Sequence, residues 1–225
     1  MNKVLTIIPA RGGSTRIKNK NLKTFNNRPL IYWTIRAAQL SGFKKNIYVT
    51  SEDKNILRTA SQFGVNIIKR PPELSDNVIM PDSAIKHALE NINEDFEAVV
   101  YLQPTSPLRK IKDIKNAYRV FIEEKCDSLL SVCKQHAFIW EKINKKYYKP
   151  INYDYLNRPR SQDAWSYFEN GSIYIFKPKV MHRNSVRFGG NISIYEMENW
   201  QSVDIDYQSD FNKAEKIFKE KLNYE

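Results

Sequence analysis

Short apolar runs alternate with amphipathic segments along most of the chain. Runs of apolar and β-branched residues predict buried strands, and segments with apolar residues every three or four positions predict helices. The predicted strands are VLTIIP, NIYVTS, VNIIKR, the first part of EAVVYLQPTSP, DSLLSVC, GSIYIF and ISIYEM. The predicted helices are PLIYWTIRAAQLSG, which has Pro29 at its first position, EDKNILRTASQFG, MPDSAIKHALENI, DIKNAYRVFIEEK and DFNKAEKIFKEKL. Repeated strand–helix units predict an α/β fold, with a mainly parallel sheet and helices on both faces.

One segment, residues 134–160, interrupts this alternation and is rich in Tyr, Trp, Lys and Asn. Because Tyr and Trp are enriched at subunit contacts, the segment predicts an interface; the alternative is an excursion folded onto its own domain. The 225 residues contain no linker and no internal repeat. We therefore expect a single domain, residues 1–225, that carries residues 134–160 as a dimerisation excursion.

The composition excludes several classes of protein. With 41% hydrophobic and 12% aromatic residues, the chain can build a core and is not disordered. Its apolar runs are shorter than the roughly 20 residues that cross a bilayer, and its N-terminus lacks a signal-peptide pattern. We therefore expect a soluble, cytoplasmic protein with no membrane contact. Cys126 and Cys133 predict reduced core thiols, and the three scattered histidines show no zinc-site spacing.

The net charge of +11 raises the alternative of a basic nucleic-acid-binding module. The lysines are spread along the chain, and such a module explains neither a glycine loop directly after a strand nor a late pair of aspartates. We therefore expect no nucleic-acid partner.

Ligands of such sheets bind beyond the carboxyl ends of the strands, which points to residues 10–21, 50–53 and 103–109. In the first of these loops, Gly12 and Gly13 permit backbone conformations that turn amide groups towards phosphate oxygens. Arg11, Arg16 and Lys20 add positive charge beside them. The loop therefore predicts a phosphate site, although neither the Walker pattern nor GxGxxG is present.

The stretch SVDIDYQSD places Asp204 and Asp206 on one side of an extended segment, with Ile205 on the other. Two neighbouring carboxylates repel each other unless a cation lies between them. Mg²⁺ is the expected cation, because it prefers carboxylate oxygens and substrate phosphates; a solvated acidic pair without a ligand is the alternative.

Two further stretches offer polar groups for a substrate. YLQPTSPLR supplies Gln103, Thr105 and Ser106 at the end of a strand, in a loop that two prolines stiffen. RPRSQDAWSYFENGSIYIF supplies Arg160, Asn170 and Tyr174; Arg suits a carboxylate, and Arg158 competes with Arg160 for that role. The sequence shows no Ser-His-Asp or Cys-His arrangement, which predicts catalysis by positioning and charge neutralisation.

These pieces, in this order, resemble the acylneuraminate cytidylyltransferase family, the CMP-sialic acid synthetases and their relatives for other nonulosonic acids. The matching stretches span nearly the whole chain: IIPARGGS with KNKN, RPPELSDN, LQPTSPLR, NGSIYIF and VDIDYQSD. The resemblance implies a Rossmann-like nucleotidyltransferase fold, and a dimer whose protruding segment reaches the partner's site. It also implies a reaction of CTP with an acidic nine-carbon sugar, which yields the CMP-sugar and pyrophosphate.

The resemblance also implies roles for individual residues. The nucleotide-binding set is Ala10, Arg11, Gly12, Gly13, Asn21, Arg70 and Ser83, and the sugar-binding set is Gln103, Arg160, Asn170 and Tyr174. The catalytic set is Lys20, Arg11, Asp206 and Arg16, and the metal ligands are Asp204 and Asp206, with Asp206 innermost.

The chain departs from the family pattern in one loop. Many sialic acid synthetases carry GGSK where this chain has GGST, so Thr15 replaces a lysine and Arg16 becomes the candidate for its charge. The STR triplet resembles the related 3-deoxy-manno-octulosonate cytidylyltransferases. Octulosonate, legionaminate and pseudaminate are therefore alternative sugars, and a nucleotidyltransferase for neutral sugar phosphates is a more distant alternative. The register at Asp82 and Ser83 also stays open.

Overall fold

The computed structural model describes residues 3–75 and 80–222. Asp76 and Asn77 of the RPPELSDN stretch lie outside the described residues, as do the ends of the expected 1–225 domain.

A seven-stranded sheet forms the centre of the molecule. The chain contains the strands β1 (Val4–Pro9), β2 (Thr24–Phe25), β3 (Arg28–Pro29), β4 (Ile47–Ser51), β5 (Asn66–Lys69), β6 (Ala98–Leu102), β7 (Ser128–His136), β8 (Trp140–Lys142), β9 (Tyr148–Pro150), β10 (Trp165–Phe176) and β11 (Ile192–Met197). The order in the sheet is β11-β7-β10-β6-β1-β4-β5. The neighbours are parallel except where β10 pairs with β6 and β7, so the predicted, mainly parallel α/β fold is confirmed.

The helices occupy the predicted segments, with one addition. They are α1 (Leu30–Leu40), α2 (Lys54–Gln62), α3 (Pro81–Glu90), α4 (Ile111–Glu123), α5 (Pro178–Asn184) and α6 (Gln208–Lys221), of which α5 was not predicted. Asp53 accepts hydrogen bonds from the backbone N–H groups of Asn55 and Ile56, which caps the start of α2. Pro29 is the cap residue before α1, one position earlier than predicted.

Both faces of the sheet are covered because side chains alternate along each strand. On β1, Val4 and Ile8 pack in a core with α1, α2, α4 and α6, whereas Leu5 and Ile7 pack in a second core with α3 and α5. The predicted helices on both faces are therefore confirmed.

The carboxyl ends of β6, β1, β4 and β5 lie at one edge of the sheet, because these four neighbours are parallel. The predicted site loops follow β1, β4 and β6, so they converge at this edge.

Residues 134–160 form an arm that extends from the sheet. β7 and β10 continue to pair as far as Trp165 opposite His136, and β8 and β9 form a small hairpin that was not predicted. Exposed large hydrophobic residues concentrate on this arm and the adjoining start of β10: Trp140, Ile143, Tyr147, Tyr148, Ile151, Tyr155, Leu156, Trp165 and Tyr167.

Cys126 and Cys133 are buried free thiols, as predicted. Among residues 3–75 and 80–222, no helix combines the length and the apolar character that a membrane crossing needs.

Candidate active site

A cleft with a cavity of about 350 Å³ opens at the carboxyl edge of the sheet. Eight of the predicted site residues line it: Arg11, Lys20, Asn21, Arg70, Gln103, Thr105, Asp204 and Asp206. The remaining wall comes from Pro9, Ser14, Leu74, Ser75, Met80, Pro81, Ala84, Tyr101 and Pro104. Residues that are distant in sequence thus meet at the predicted edge.

A second cavity of about 220 Å³ adjoins the first and shares Arg11, Ser14, Lys20 and Asp206 with it. Thr15 and Arg16 complete its lining. The residues that depart from the family pattern therefore lie beside the main cleft.

The glycine loop is built differently from the predicted phosphate cradle. The backbone N–H of Gly12 donates to Glu52 Oε1 at 2.7 Å, so this group is engaged within the protein. Neither Gly12 nor Gly13 has a left-handed backbone conformation. Gly12 is required for a steric reason, because a Cβ there would overlap the Asp53 carboxylate, whereas a Cβ at Gly13 would meet open space. Gly12 is therefore needed for close packing and not for a left-handed backbone, and the contact of Gly12 and Gly13 with the nucleotide stays a prediction.

Lys20 is a buried cation at the centre of the cleft. Its ammonium group donates to the backbone carbonyl of Ile205 at 2.5 Å and to Asp206 Oδ1 at 3.2 Å. Arg16 Nη1 lies 2.7 Å from the other carboxylate oxygen, Asp206 Oδ2. Asp206 is thus held between two cations, of which Arg16 is the more exposed.

The two aspartates project into the same cavity, whereas Ile205 between them is fully buried. The Ile205 N–H donates to the carbonyl of Thr105 at 2.8 Å, which ties this segment to the loop after β6. The pKa of Asp204 is raised, because neighbouring protein removes water from its carboxyl group and Asp206 adds like charge.

This donor set fits a magnesium ion that is completed by substrate phosphates. Two carboxylates line one cavity, and Mg²⁺ is commonly held by one or two carboxylates together with phosphate oxygens. Among the described residues there is no cluster of three or more His, Cys, Asp or Glu side chains that could hold a metal without a substrate.

Arg70 lies at the end of β5 and is 4% exposed. It donates to Glu52 Oε2 at 3.0 Å, to the carbonyl of Thr50 at 3.2 Å and to Ser75 Oγ at 2.7 Å. Burial lowers the pKa of its guanidinium, although the charge of Glu52 opposes that effect. These hydrogen bonds hold Arg70, a predicted nucleotide-binding residue, in place before any ligand binds.

Asn21 donates from Nδ2 to the carbonyl of Arg11 at 2.9 Å, so it holds the glycine loop. Its Oδ1 is buried and has no hydrogen-bond donor within the described part of the chain. Because Asn21 lines the cleft, this acceptor suits a ligand that brings an N–H or O–H group.

At the other end of the cleft, the Gln103 side chain hydrogen-bonds with the buried Tyr101. Gly171 makes this arrangement possible, because its φ is 68° and a Cβ there would overlap Gln103 Oε1. Burial raises the pKa of Tyr101 to about 12, so its hydroxyl stays protonated at neutral pH.

Two predicted sugar-binding residues have partners inside the protein and do not line the cleft. Asn170 Oδ1 accepts from Ser131 Oγ at 2.6 Å, and its Nδ2 donates to the sulfurs of Cys133 and Met197. The Tyr174 hydroxyl donates to Glu169. Burial raises the pKa of Tyr174, and the hydrogen bond to Glu169 raises it further.

Six other predicted residues lie outside the lining of both cavities: Ala10, Gly12, Gly13, Ser83, Ser106 and Arg160. Ala10 is buried and its N–H donates to Thr50. Ser83 lies in the first turn of α3, next to the lining residue Ala84. Arg160 is exposed near the base of the arm.

Two arginines were given no role from the sequence: Arg187, whose side chain is 11% exposed, and the buried Arg109, the last residue of the predicted loop 103–109. Arg187 binds both carboxylate oxygens of the buried Asp82, through Nη1 at 2.7 Å and its backbone N–H at 2.9 Å, and its guanidinium lies over the Tyr174 ring. Arg109 is 1% exposed and donates to the Gln103 carbonyl at 2.5 Å and to Thr34 Oγ1 at 2.8 Å. Both stabilise the walls of the cleft.

The sequence indicated the regions of Glu52 and Arg109, because they lie within the predicted loops 50–53 and 103–109. For Arg187 there was no such signal, because it lies in an irregular segment after α5.

Taken together, four cationic side chains and two carboxylates line the adjoining cavities: Arg11, Arg16, Lys20, Arg70, Asp204 and Asp206. Such a site can bind a polyphosphate, stabilise charge on it and hold a divalent cation.

Comparisons with known proteins agree with this chemistry. The model of a family described as cytidylyltransferase matches residues 5–225. N-acylneuraminate cytidylyltransferase A of Danio rerio is 33% identical over 217 residues, which cover 94% of this chain and 50% of that protein. The chain thus spans about half the length of this curated relative. Post-translational flagellin modification protein B of Campylobacter coli is 28% identical, over 98% of this chain and 97% of that protein.

Among solved structures, CMP:2-keto-3-deoxy-manno-octonic acid synthetase complexed with CTP is similar with a TM-score of 0.76. It is 17% identical, over 98% of this chain and 100% of that one, and shows the same Rossmann-like nucleotidyltransferase fold.

Proposed function

The chain belongs to the cytidylyltransferase family, and we propose that it couples CTP to a nonulosonic, sialic-acid-like sugar acid. The anomeric hydroxyl oxygen of the sugar attacks the α-phosphorus of CTP. A new phosphorus–oxygen bond forms, the bond to the bridging oxygen of the β-phosphate breaks, and pyrophosphate leaves. The hydroxyl proton passes to water, and the other product is the CMP-sugar.

One observation supports this proposal above all others. The cleft joins Arg11, Lys20 and Arg70 with Asp204 and Asp206 at the carboxyl edge of a mainly parallel sheet. A basic surface for nucleic acid would not need this concave site or its acidic pair.

The cations of the cleft bind the triphosphate and stabilise its transition state. Lys20 is held in place by Ile205 and Asp206, so its charge is already positioned when negative charge develops on the α-phosphate and the leaving pyrophosphate. Arg11 and Arg16 line the adjoining cavity and neutralise the remaining phosphate charge. The unsatisfied Asn21 Oδ1 receives a donor from the nucleotide.

Asp204 and Asp206 would hold Mg²⁺, which when bound neutralises phosphate charge and favours departure of pyrophosphate. A bound cation would offset the loss of water around Asp204 and the charge of Asp206, the causes that raise the pKa of Asp204.

The sugar lies at the Tyr101 end of the cleft, with Gln103 as its first contact. The carboxylate of the sugar needs a cation, and Arg160 does not line the cleft of its own chain. We assign this cation to Arg160 of the second subunit in a homodimer. The exposed aromatic and aliphatic side chains of the arm support this arrangement, because large apolar side chains concentrated on one exposed segment are typical of a subunit contact.

We place the enzyme in the cytoplasm, where CTP is available. The relatives named for N-acylneuraminate favour that class of sugar. Legionaminate, pseudaminate and 3-deoxy-manno-octulosonate differ in the groups that the sugar pocket must accept, so they are the alternatives to be tested.

Pyrophosphate release with Mg²⁺ tests the proposal, with CTP, UTP, ATP and GTP each offered with N-acetylneuraminate, legionaminate, pseudaminate and 3-deoxy-manno-octulosonate. We expect turnover with CTP and one nonulosonic acid, and a CMP-sugar detectable by mass spectrometry. Turnover with no pair of substrates would contradict the proposal.

A further inference from the structure

Glu52 lies directly behind the nucleotide end of the cleft without lining it. Its side chain is 15% exposed, and the residue directly follows Ser51, the last residue of β4. Neither the motif match nor the cavity lining gives it a role.

The Glu52 carboxylate, itself after β4, joins the loop after β1 to the segment after β5. Oε1 accepts from the Gly12 N–H at 2.7 Å, in the loop after β1. Oε2 accepts from Arg70 Nη2 at 3.0 Å, after β5, and from Ser75 Oγ at 2.5 Å. Arg70 and Ser75 both line the cleft, so one carboxylate fixes the spacing between these two residues and the glycine loop.

The sign of the charge excludes a direct electrostatic role in binding CTP. A carboxylate next to a triphosphate site repels the ligand, so its removal would strengthen binding if charge alone mattered. Any benefit of Glu52 to nucleotide binding must therefore come from geometry, through the Gly12 loop and Arg70.

We propose that Glu52 is a positioning residue that preassembles the nucleotide end of the cleft, by holding the glycine loop and the Arg70 side chain in register. This inference rests on the proposed function. It assigns Glu52 to the binding of CTP and not to the sugar, because its side-chain partners are Gly12, Arg70 and Ser75, all of which lie on the glycine-loop and Arg70 side, and not Gln103.

The test compares Glu52→Gln with Glu73→Gln, since Glu73 is an exposed residue of the turn Pro72–Ser75, which carries Ser75, and this substitution removes the same charge. Calorimetry measures CTP binding in the presence of Mg²⁺ and without sugar, and kinetics measures KM for each substrate. We expect Glu52→Gln to weaken CTP binding about tenfold, while KM for the sugar changes by less than about twofold. Glu73→Gln should bind CTP as tightly as the wild type or slightly more tightly.

If Glu52→Gln does not fold, CTP binding is measured in Ser75→Ala instead. It removes one of the contacts to Oε2, and we expect about threefold weaker CTP binding with an unchanged sugar KM. Wild-type binding in these variants, or equal rises in both KM values, would overturn the inference and leave the proposed function intact. A wild-type protein that does not bind CTP would overturn both.

Discussion

The ammonium nitrogen of Lys20 lies 3.2 Å from a carboxylate oxygen of Asp206, although 186 positions separate the two residues. The same nitrogen donates to the backbone carbonyl of Ile205 at 2.5 Å. The contact therefore joins the loop after β1 to the acidic segment before α6. It places a buried cation beside the residues that we propose to hold the metal.

Loss of the Lys20 charge should slow the reaction strongly. We expect Lys20→Ala to lower kcat by about 100-fold to 1,000-fold, because it removes a positioned cation from the transition state. Steady-state kinetics with CTP and the acid sugar measures the effect. Lys18→Ala is the control, since Lys18 is an exposed lysine of the same loop. Equal activities of the two variants would show that Lys20 has no special role.

The two glycines of the loop should respond differently to the same substitution. In Gly12→Ala the new methyl group meets the Asp53 carboxylate, so the loop must shift and its bond to Glu52 must lengthen. We expect about tenfold weaker CTP binding, measured by calorimetry. Gly13→Ala, whose methyl group meets open space, should bind CTP within about twofold of the wild type. A larger effect at Gly13 than at Gly12 would contradict the steric explanation.

The Glu52 contacts predict a pH-dependent contribution to folding. Burial raises the pKa of Glu52, but hydrogen bonds from Ser75 and from backbone N–H groups, together with the charge of Arg70, outweigh burial and lower it below 4.5. The folded state therefore binds fewer protons than the unfolded state as this carboxyl titrates, so its stabilisation is present above pH 4.5 and is lost as the pH falls through the folded pKa.

Urea denaturation of the wild type and Glu52→Gln over a pH series measures this contribution. We expect the difference in their free energies of unfolding to stay constant from neutral pH down to about 4.5 and to shrink below that value. A difference that is independent of pH would show that the charge of Glu52 does not stabilise the fold.

The arm should mediate dimerisation. Leu156 is 76% exposed at its surface, and we expect Leu156→Asp to weaken the dimer by at least about 2 kcal/mol. Sedimentation equilibrium measures the association constant. Ile122→Asp is the control, because Ile122 is an exposed residue of α4 outside the arm. A wild-type monomer, or equal association of both variants, would contradict the proposed interface.

Features with a local cause were predictable from the sequence. The α2 helix follows from its apolar spacing, the Asp53 cap and Gly64 after its end. The meeting of Lys20, Arg70 and Gln103 followed from the topology, because the ends of the parallel strands β1, β5 and β6 share an edge. The two aspartates reach this edge through the backbone bond from Ile205 to Thr105, which strand order alone does not predict.

Features that depend on distant contacts were not predictable. Gly12 is needed because Asp53 approaches it from another loop, and Asn170 is turned inward to Ser131 where the pairing of β10 is irregular. Arg187 pairs with Asp82, which lies 105 positions earlier in the chain. The sequence pattern of neither segment indicates this pairing.

The most direct test of the proposed site is the rate of pyrophosphate release from CTP and the acid sugar by the wild type and by Asp206→Asn, measured over a titration with Mg²⁺. Asp95→Asn, which changes an exposed carboxylate outside the cleft, is the control. We expect Mg²⁺-dependent turnover in the wild type and the control, and a loss of at least about 100-fold in Asp206→Asn at every Mg²⁺ concentration. Asp206→Asn turnover equal to that of the wild type would contradict the assignment of this cleft as the site of cytidylyl transfer.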